Sequence, residues 1–269
     1  MDQKFVLPSP SVRPLIYNYL FLKKDEKEST INERFVPNGF VSIVFHFSPV
    51  ESNVYINEDE ILPGFFLVIP NVKPVPVSVV QLVDTMIVFC NASVLSALFH
   101  LKLKTAKDAS HVVADLFGGF PMHQRLWELK TDEERIDFFE SYLTANYDLA
   151  GYLPDEADRV YQQVIDSEGN LSIDGVIESL NTNYRTFRRT FHERTGISLK
   201  GLARIMRVNY IWRMISQNKD IDLQSIVCMC DYYDQSHLIH DFEKIVGESP
   251  KRFFNRDLEN AKMISGVEF

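Results

Sequence analysis

The chain of 269 residues has room for two domains, because globular domains average roughly 150 residues. A net charge of −9 excludes a uniformly basic nucleic-acid binder and a polybasic membrane-surface protein. The three cysteines exclude a disulfide scaffold, and no apolar run reaches the length of a transmembrane helix. The first residues lack the pattern of a secretion signal. We therefore expect a cytoplasmic protein.

The first third of the sequence predicts a small antiparallel sheet or barrel. Apolar and polar residues alternate between Val41 and Ser48, which is the period of a half-buried strand. The apolar runs Phe65–Ile69 and Met86–Cys90 predict buried strands. Prolines between these two runs argue against a central strand there: Pro70, Pro74 and Pro76.

From Asn91–Leu103 onward the pattern becomes helical. Thr131 and Glu134 have the spacing of a capping box. The helix that it begins carries an apolar stripe, which packs either on its own domain or against a second copy in a dimer: Ile136, Phe139, Leu143 and Tyr147. Gly151 and Pro154 mark a helix end and a helix start. We therefore predict a β-rich domain over 1–150, for effector binding or dimerisation, and an all-α domain over 151–269.

Residues 184–213 concentrate positive charge in this acidic chain. The window holds one acid, Glu193, and eight basic residues: Arg185, Arg188, Arg189, Arg194, Lys200, Arg204, Arg207 and Arg213. Such a run is either a solvated helix face or a phosphate-binding surface, which needs a local field rather than a basic total.

An internal repeat occupies the second half. Residues 183–191 align with 234–242 at an offset of 51, and each copy begins with a good N-cap, Asn183 or Asp234. Gly196 and Gly247 end the two helices. Upstream, at an offset of 50, each copy has a short amphipathic helix and a turn residue that tolerates the left-handed conformation, Asn181 or Asp231.

Each copy therefore predicts a helix-turn-helix motif. A long connecting helix joins them and carries one apolar stripe: Leu202, Ile205, Val208, Trp212 and Ile215. Arg185, Arg188 and Arg189 share one face of the first recognition helix, because residues three and four apart are neighbours on a helix. The fold class is α+β overall, with a small β-rich domain and flanking helices followed by the all-α domain.

Residues 155–256 resemble the DNA-binding domain of the AraC/XylS transcription regulators. The strongest match runs from Asp231 to Phe242 and continues through the segment Gly247–Phe253, which is similar to the family signature. The first half resembles, more faintly, the sensor or dimerisation domain of this family. The resemblance implies a sequence-specific regulator that reads two successive major grooves of double-stranded DNA, about 10–10.5 base pairs apart, with helices near 184–195 and 235–246.

The resemblance also implies which side chains contact DNA. The first motif and connecting helix contribute Asn183, Tyr184, Arg185, Arg188, Arg189, Lys200 and Arg204. The second motif contributes Gln235, Ser236, Ile239 and His240. Arginines of the first helix would read bases, and Lys200, Arg204 and Arg207 would contact phosphates, with a structural ion pair as the alternative for Arg207.

Several residues depart from the family pattern. Asp231 replaces the signature glycine, His240 replaces an arginine, and larger residues stand where alanine is usual: Ile177, Ile211 and Val227. The second recognition helix also carries acids, Asp241 and Glu243. We therefore expect the first motif to dominate base readout. The alternative is a ligand- or partner-binding module that binds DNA weakly because its second motif is degenerate.

Other chemistry has little support in the sequence. Cys228 and Cys230 are two residues apart on a predicted helix, which favours core cysteines over a metal or redox pair. His46 is interpreted as a satisfied strand residue. Phosphate loops, dinucleotide motifs and nucleophile elbows are absent from the sequence, so we predict no enzyme, no metal site and no cofactor.

A small-molecule effector and a homodimer stay open. Seven aromatic residues either line an effector pocket or pack in the core: Tyr17, Tyr19, Phe21, Phe35, Phe40, Phe65 and Phe66.

Overall fold

The computed structural model describes most of the chain, and every structural statement below concerns these residues: 2–24, 30–47, 54–56, 60–61, 63–79, 83–105, 117, 119–218, 221–256 and 258. The chain forms two compact units. One contains residues 1–32, 40–69 and 77–154, and the other contains residues 33–39, 70–76 and 155–269. The second unit thus includes two short segments that precede the predicted boundary near 148–154.

The strands of the first half form antiparallel sheets, as predicted. A five-stranded sheet has the order β1-β2-β9-β4-β7, and a four-stranded sheet has the order β3-β8-β5-β6. The strands are β1 (Asp2–Val6), β2 (Ile16–Lys24), β3 (Ile31–Phe35), β4 (Val41–His46), β5 (Val54–Ile56), β6 (Glu60–Ile61), β7 (Phe65–Val68), β8 (Val75–Val79) and β9 (Val83–Cys90).

The prediction that prolines exclude a central strand before Met86 is wrong. Strand β8 lies between β3 and β5 and contains Pro76. Its register with β5 runs from Val77 to Val79. Pro76 precedes these paired residues, so its missing N–H leaves the ladder to β5 intact.

Helices begin after β9 and make up the second half. They are α1 (Ala92–Leu98), α2 (Gly119–Glu128), α3 (Asp132–Asn146), α4 (Glu156–Asp166), α5 (Ile173–Glu178), α6 (Tyr184–Thr195), α7 (Leu199–Gln217), α8 (Leu223–Met229), α9 (Gln235–Val246) and α10 (Pro250–Phe254), with a 3₁₀ turn at Leu103–Thr105. Within the described segments, none of these helices has the length and apolar character needed to cross a bilayer.

In the first unit, helix α3 packs on one face of the five-stranded sheet. Its N-terminus has the predicted capping box at Thr131. The Phe139 ring meets Phe45 at 5.7 Å, and the Tyr19 hydroxyl donates to Glu140 at 3.1 Å. The apolar stripe is buried within this unit, so it is not free to pair with a second copy; Tyr147 lies just beyond the helix as its C-cap.

In the second unit, helix α7 forms the central support. The predicted stripe from Leu202 to Ile215 is buried, and the indole of Trp212 meets the Phe253 ring edge-on at 4.8 Å. Helices α4, α6 and α9 each pack against α7. Both helix-turn-helix motifs therefore rest on one continuous helix.

The segments 33–39 and 70–76 are integral to the second unit. The Tyr161 hydroxyl donates to the Gly39 carbonyl at 2.7 Å, and the Asn209 amide donates to the Pro37 carbonyl at 3.1 Å. Gly39 has φ +86°, and an added Cβ there would meet Leu202 Cδ1 at 2.8 Å. A fragment that begins at residue 155 would lose these contacts.

Candidate functional site

Helix α6 is the first recognition helix, and its bounds match the predicted 184–195. The Asn183 side chain caps it by accepting from the Arg185 amide at 2.8 Å, and Gly196 ends it at φ +74°. Phe187 and Phe191 are buried, with ring centroids 5.5 Å apart. One face of α6 therefore lies in the core, and the other faces solvent.

The solvent face of α6 carries the predicted arginines. Arg185, Arg188 and Arg189 are exposed, and among the described residues their guanidinium groups have no ion-pair partner. Tyr184 is half-buried at the start of the helix. Lys200, near the start of α7, is also exposed and unpaired within the described chain.

Two other arginines of the basic window are held by acids of the same unit. Arg194 pairs with Asp155 and, at 2.5 Å, with Asp158, whose side chain is only 2% exposed. Arg213 pairs with Glu168. These arginines tie helices together and do not offer free charge to a partner.

Arg204 and Arg207 are also engaged within the unit. Arg204 Nε lies 3.4 Å from the buried Asp241 Oδ2, an ion contact without a hydrogen bond. Arg207 donates to the Gly169 carbonyl at 3.0 Å and stacks on the Tyr232 ring at 5.0 Å. Arg207 is structural, but the predicted ion pair is wrong, because no carboxylate of the described chain lies within ion-pair distance of it. Within residues 184–213, the positive charge that no described acid pairs with is therefore concentrated on Arg185, Arg188, Arg189 and Lys200.

Helix α9 is the second recognition helix, and its bounds match the predicted 235–246. The Asp234 side chain caps it by accepting from the His237 amide at 2.8 Å, and Gly247 ends it at φ +88°. Its outer positions carry no arginine: Gln235, Ser236 and His240 are exposed, and Ile239 is half-buried.

The two acids of α9 have different environments. Asp241 is buried and faces Arg204, whereas Glu243 is exposed. Of these two acids, only Glu243 is therefore exposed, and a weaker second motif stays a prediction that now depends on Glu243 and not on Asp241.

The turns of the two motifs differ. Asp231 adopts the left-handed conformation at φ +53°, as predicted, but Asn181 does not. Instead Glu156 accepts from the Asn181 amide at 2.6 Å and from the Thr182 hydroxyl. Both hydrogen bonds lower the pKa of Glu156, and the one from Thr182 has the larger effect. The first turn is thus stabilised by the Glu156 carboxylate of α4, whereas the second turn has a residue in the left-handed conformation.

Two further exposed residues near the recognition helices are Lys251 and Gln224. Lys251 is exposed at the start of α10 and stands 51 residues after Lys200, so the repeat already indicated it. Gln224 on α8 accepts from the Gln235 amide at 3.2 Å. Its role depends on a contact between two helices, which the repeat alone does not show.

The two neighbouring cysteines face different surroundings. Cys230 is buried, and burial raises the pKa of its thiol to about 11. Cys228 is exposed, so its assignment to the core is wrong. Within the described ranges, no group of three His, Cys, Asp or Glu side chains is placed to hold a metal ion.

A second candidate site lies on the face of the five-stranded sheet opposite α3. Asn18 on β2 and Ser42 on β4 flank Phe89 of β9 in register, and both are buried. His46 lies two pleats along on the same face, where its Nδ1 is 2.6 Å from the Thr85 hydroxyl. Asn18 Oδ1, Ser42 Oγ and His46 Nε2 are buried without a hydrogen-bond partner among the described groups. His46 is therefore only half satisfied, contrary to its interpretation from sequence.

The aromatic residues considered as an effector pocket do not share one surface. Tyr19 and Phe21 pair in register with Val88 and Met86 on the α3 side of the sheet, whereas Phe66 lies on the opposite side. Tyr17 is half-exposed and stacks on Phe40, and Phe35 belongs to the other unit. This distribution favours core packing for most of the set.

The environment of His46 predicts a pH dependence of stability. Burial of the imidazole, with a smaller contribution from His123, lowers the pKa of His46 from 6.5 to about 4. The unfolded chain therefore binds a proton here at a higher pH than the folded protein does, and stability falls as the pH drops from about 6.5 to about 4. Between pH 7 and pH 5 the wild type should lose about 2 kcal/mol more than His46→Gln. Urea unfolding followed by Trp127 fluorescence measures this difference, and equal losses in both proteins would contradict it.

Two helix-turn-helix motifs on a shared central helix define a DNA-binding domain. In agreement with the fold, residues 176–256 match the family model of a helix-turn-helix domain, and residues 4–112 match that of a domain of unknown function (DUF6597). The C-terminal half of the chain therefore carries an AraC-type helix-turn-helix domain, after a β-rich N-terminal half.

The chain is also similar to solved structures of ToxT from Vibrio cholerae. A 1.65 Å structure of ToxT has 11% identity and a TM-score of 0.47, with 88% of this chain and 97% of ToxT covered. The structure of wild-type ToxT with an unsaturated fatty acid bound has 11% identity and a TM-score of 0.44, with 100% and 99% covered. A comparison with curated protein sequences finds no match.

Proposed function

We propose that this chain is a transcription regulator that binds double-stranded DNA sequence-specifically and places α6 and α9 in two successive major grooves. The exposed face of Arg185, Arg188 and Arg189 is the main support for this proposal. In a chain of net charge −9, three guanidinium groups on the N-terminal half of one helix, with no acid of the described residues paired to them, form a local attractive field for DNA. Planar arginine forks also match the O6 and N7 acceptors of guanine.

The central helix gives the two motifs a fixed separation. Helix α7 has 19 residues and is therefore about 28 Å long at ~1.5 Å per residue. One turn of DNA is about 34–36 Å, so a support of this length suits helices in neighbouring grooves. Lys200 and Lys251, exposed at equivalent places of the repeat, are proposed as phosphate contacts that set the register.

Selection from random duplexes by the full chain tests this proposal. The full chain is needed because segments 33–39 and 70–76 belong to the DNA-binding unit. We expect an enriched motif of two blocks whose centres lie about 10 base pairs apart. Salt-sensitive binding with no enriched motif would contradict the proposal and favour the alternative of a binding module with only weak affinity for DNA.

A second proposed function is effector binding in the first unit, at the face that carries Asn18, Ser42 and His46. Buried polar groups without partners are rare, since each costs roughly 1–3 kcal/mol. A mostly apolar molecule would satisfy them only with several hydrogen-bonding groups, spaced to reach from Asn18 to Ser42 across the sheet and from Ser42 to His46 along β4. Leu20, Val44 and neighbouring apolar side chains lie between these groups in register. Thermal-shift screening of the full chain should find a compound that stabilises the wild type but not Ser42→Val. Compounds that act equally on both proteins, or none at all, would reject this site.

A further inference from the structure

We propose that the two recognition helices read half-sites of opposite base composition: α6 reads a G·C-rich half and α9 reads an A·T-rich half. This inference rests on the proposed function, since both helices must lie in major grooves. The repeat offset pairs each arginine of α6 with a different residue of α9. The positions of Arg185, Arg188 and Arg189 are taken in α9 by Ser236, Ile239 and His240.

The three arginines on the outer face of α6 present donors only. A guanidinium group has N–H donors and no acceptor. In the major groove guanine offers two adjacent acceptors, whereas adenine and cytosine each expose an amino donor. With three such groups on one face, α6 favours guanine at several positions of its half-site.

Two residues on the outer face of α9, Gln235 and Ile239, have the chemistry that suits A·T pairs. Gln235 stands at the first turn of the helix, and its amide nitrogen donates to Gln224 Oε1 at 3.2 Å. One amide N–H and the Oε1 acceptor remain, which is the pair that binds adenine N7 and N6 together. Gln224 acts as a positioning residue, because its hydrogen bond fixes the orientation of the Gln235 amide.

Ile239 adds a second preference in the same direction. Its half-buried side chain stands where α6 has Arg188, and it has no hydrogen-bonding group. Such a side chain favours the C5-methyl group of thymine, which only T·A and A·T pairs display in the major groove. Ser236 and His240 donate and accept, so they fit either class of base pair.

The selected motif provides the first test. We expect one block rich in G·C and one rich in A·T, about 10 base pairs apart. Two G·C-rich blocks, or one block beside a random one, would overturn this inference and leave sequence-specific binding intact. Absence of any enriched motif would instead remove the proposed function on which the inference rests.

Base analogues assign each block to its helix. Uracil in place of thymine in the A·T block removes the methyl group and should weaken wild-type binding about three- to fivefold. The same replacement of thymine by uracil should not change the affinity of Ile239→Ala for DNA. The matched control is Ile177→Ala, which removes an isoleucine side chain from α5 of the first motif. An equal loss in Ile239→Ala and wild type would show that Ile239 does not contact the methyl group and would overturn its role.

Variants of Gln224 and Gln235 test whether Gln224 orients the Gln235 amide for adenine. Gln235→Ala should reduce the preference for adenine by about five- to 150-fold. Gln224→Ala should remove part of this preference for adenine. Gln224→Glu keeps an acceptor for the Gln235 amide, so it should retain the preference even if its overall affinity for DNA falls. Loss of preference in both Gln224 variants would contradict the positioning role.

Discussion

Replacement of Arg194 by alanine is expected to destabilise the helical unit by about 3–5 kcal/mol. Arg194 is only 12% exposed and joins α6 to the N-terminus of α4 through Asp155 and Asp158. Asp158 is 2% exposed, so the removal of Arg194 takes a charged partner away from a buried carboxylate. Burial tends to raise the pKa of Asp155, but the Asp158 amide and the guanidinium of Arg194 hold the pKa below its usual value.

Urea unfolding followed by Trp212 fluorescence measures this loss. Trp212 is fully buried in the helical unit, and a Trp127→Phe background removes the signal of the first unit. Arg213→Ala is the matched control: it removes the same charge from a pair about one-third exposed on each side, so the expected loss is only about 0–1 kcal/mol. Similar losses in both variants would show that burial of Asp158 does not determine the effect.

Local signals in the sequence were sufficient to predict the recognition helices. Asn183 and Asp234 fix their starts, and Gly196 and Gly247 fix their ends in the left-handed conformation. Caps act within one turn, so their consequences do not depend on the rest of the chain. For this reason both predicted ranges agree with the structure.

The division of the basic window into free and paired arginines could not be predicted in the same way. The acids that neutralise Arg194 and Arg213 lie in α4 and at Glu168, and only packing against α6 and α7 brings them close. The sequence placed Arg185 and Arg194 in the same basic window. In the fold, Arg185 is exposed to solvent, whereas Arg194 is paired with acids of α4 and its N-cap. Long-range partners therefore limit what a charge count can show.

The polar face of the sheet was also beyond sequence analysis. Alternation along β4 predicts which residues share a face, and the structure agrees that Ser42 and His46 do. The position of Asn18 beside Phe89 depends on the register between β2 and β9, which includes an irregularity between Ile16 and Asn18. Register across distant strands is set by the folded sheet, so this site could be seen only in the structure.

Replacement of Arg188 by alanine is expected to weaken binding to the selected operator by about five- to 150-fold, or about 1–3 kcal/mol. Its stability should stay within about 0.5 kcal/mol of wild type, because Arg188 is exposed and has no ion-pair partner in the described structure. Fluorescence anisotropy with the operator and with a scrambled duplex measures affinity and specificity together. Arg125→Ala, which removes an exposed charge from the first unit, controls for net charge.

A second experiment tests whether Arg188 contacts a base or a phosphate, because the two kinds of contact predict different results. If its guanidinium group binds guanine N7, 7-deazaguanine at one operator position should reduce wild-type affinity and have little effect on Arg188→Ala. A phosphate contact would instead lower affinity equally for operator and scrambled DNA and reduce the salt dependence by about one ion. Arg194→Ala should behave in neither way, since any loss of binding would follow the loss of folded protein. Comparison of the two variants on the same duplexes thus separates an arginine that contacts DNA from one that holds α6 in place.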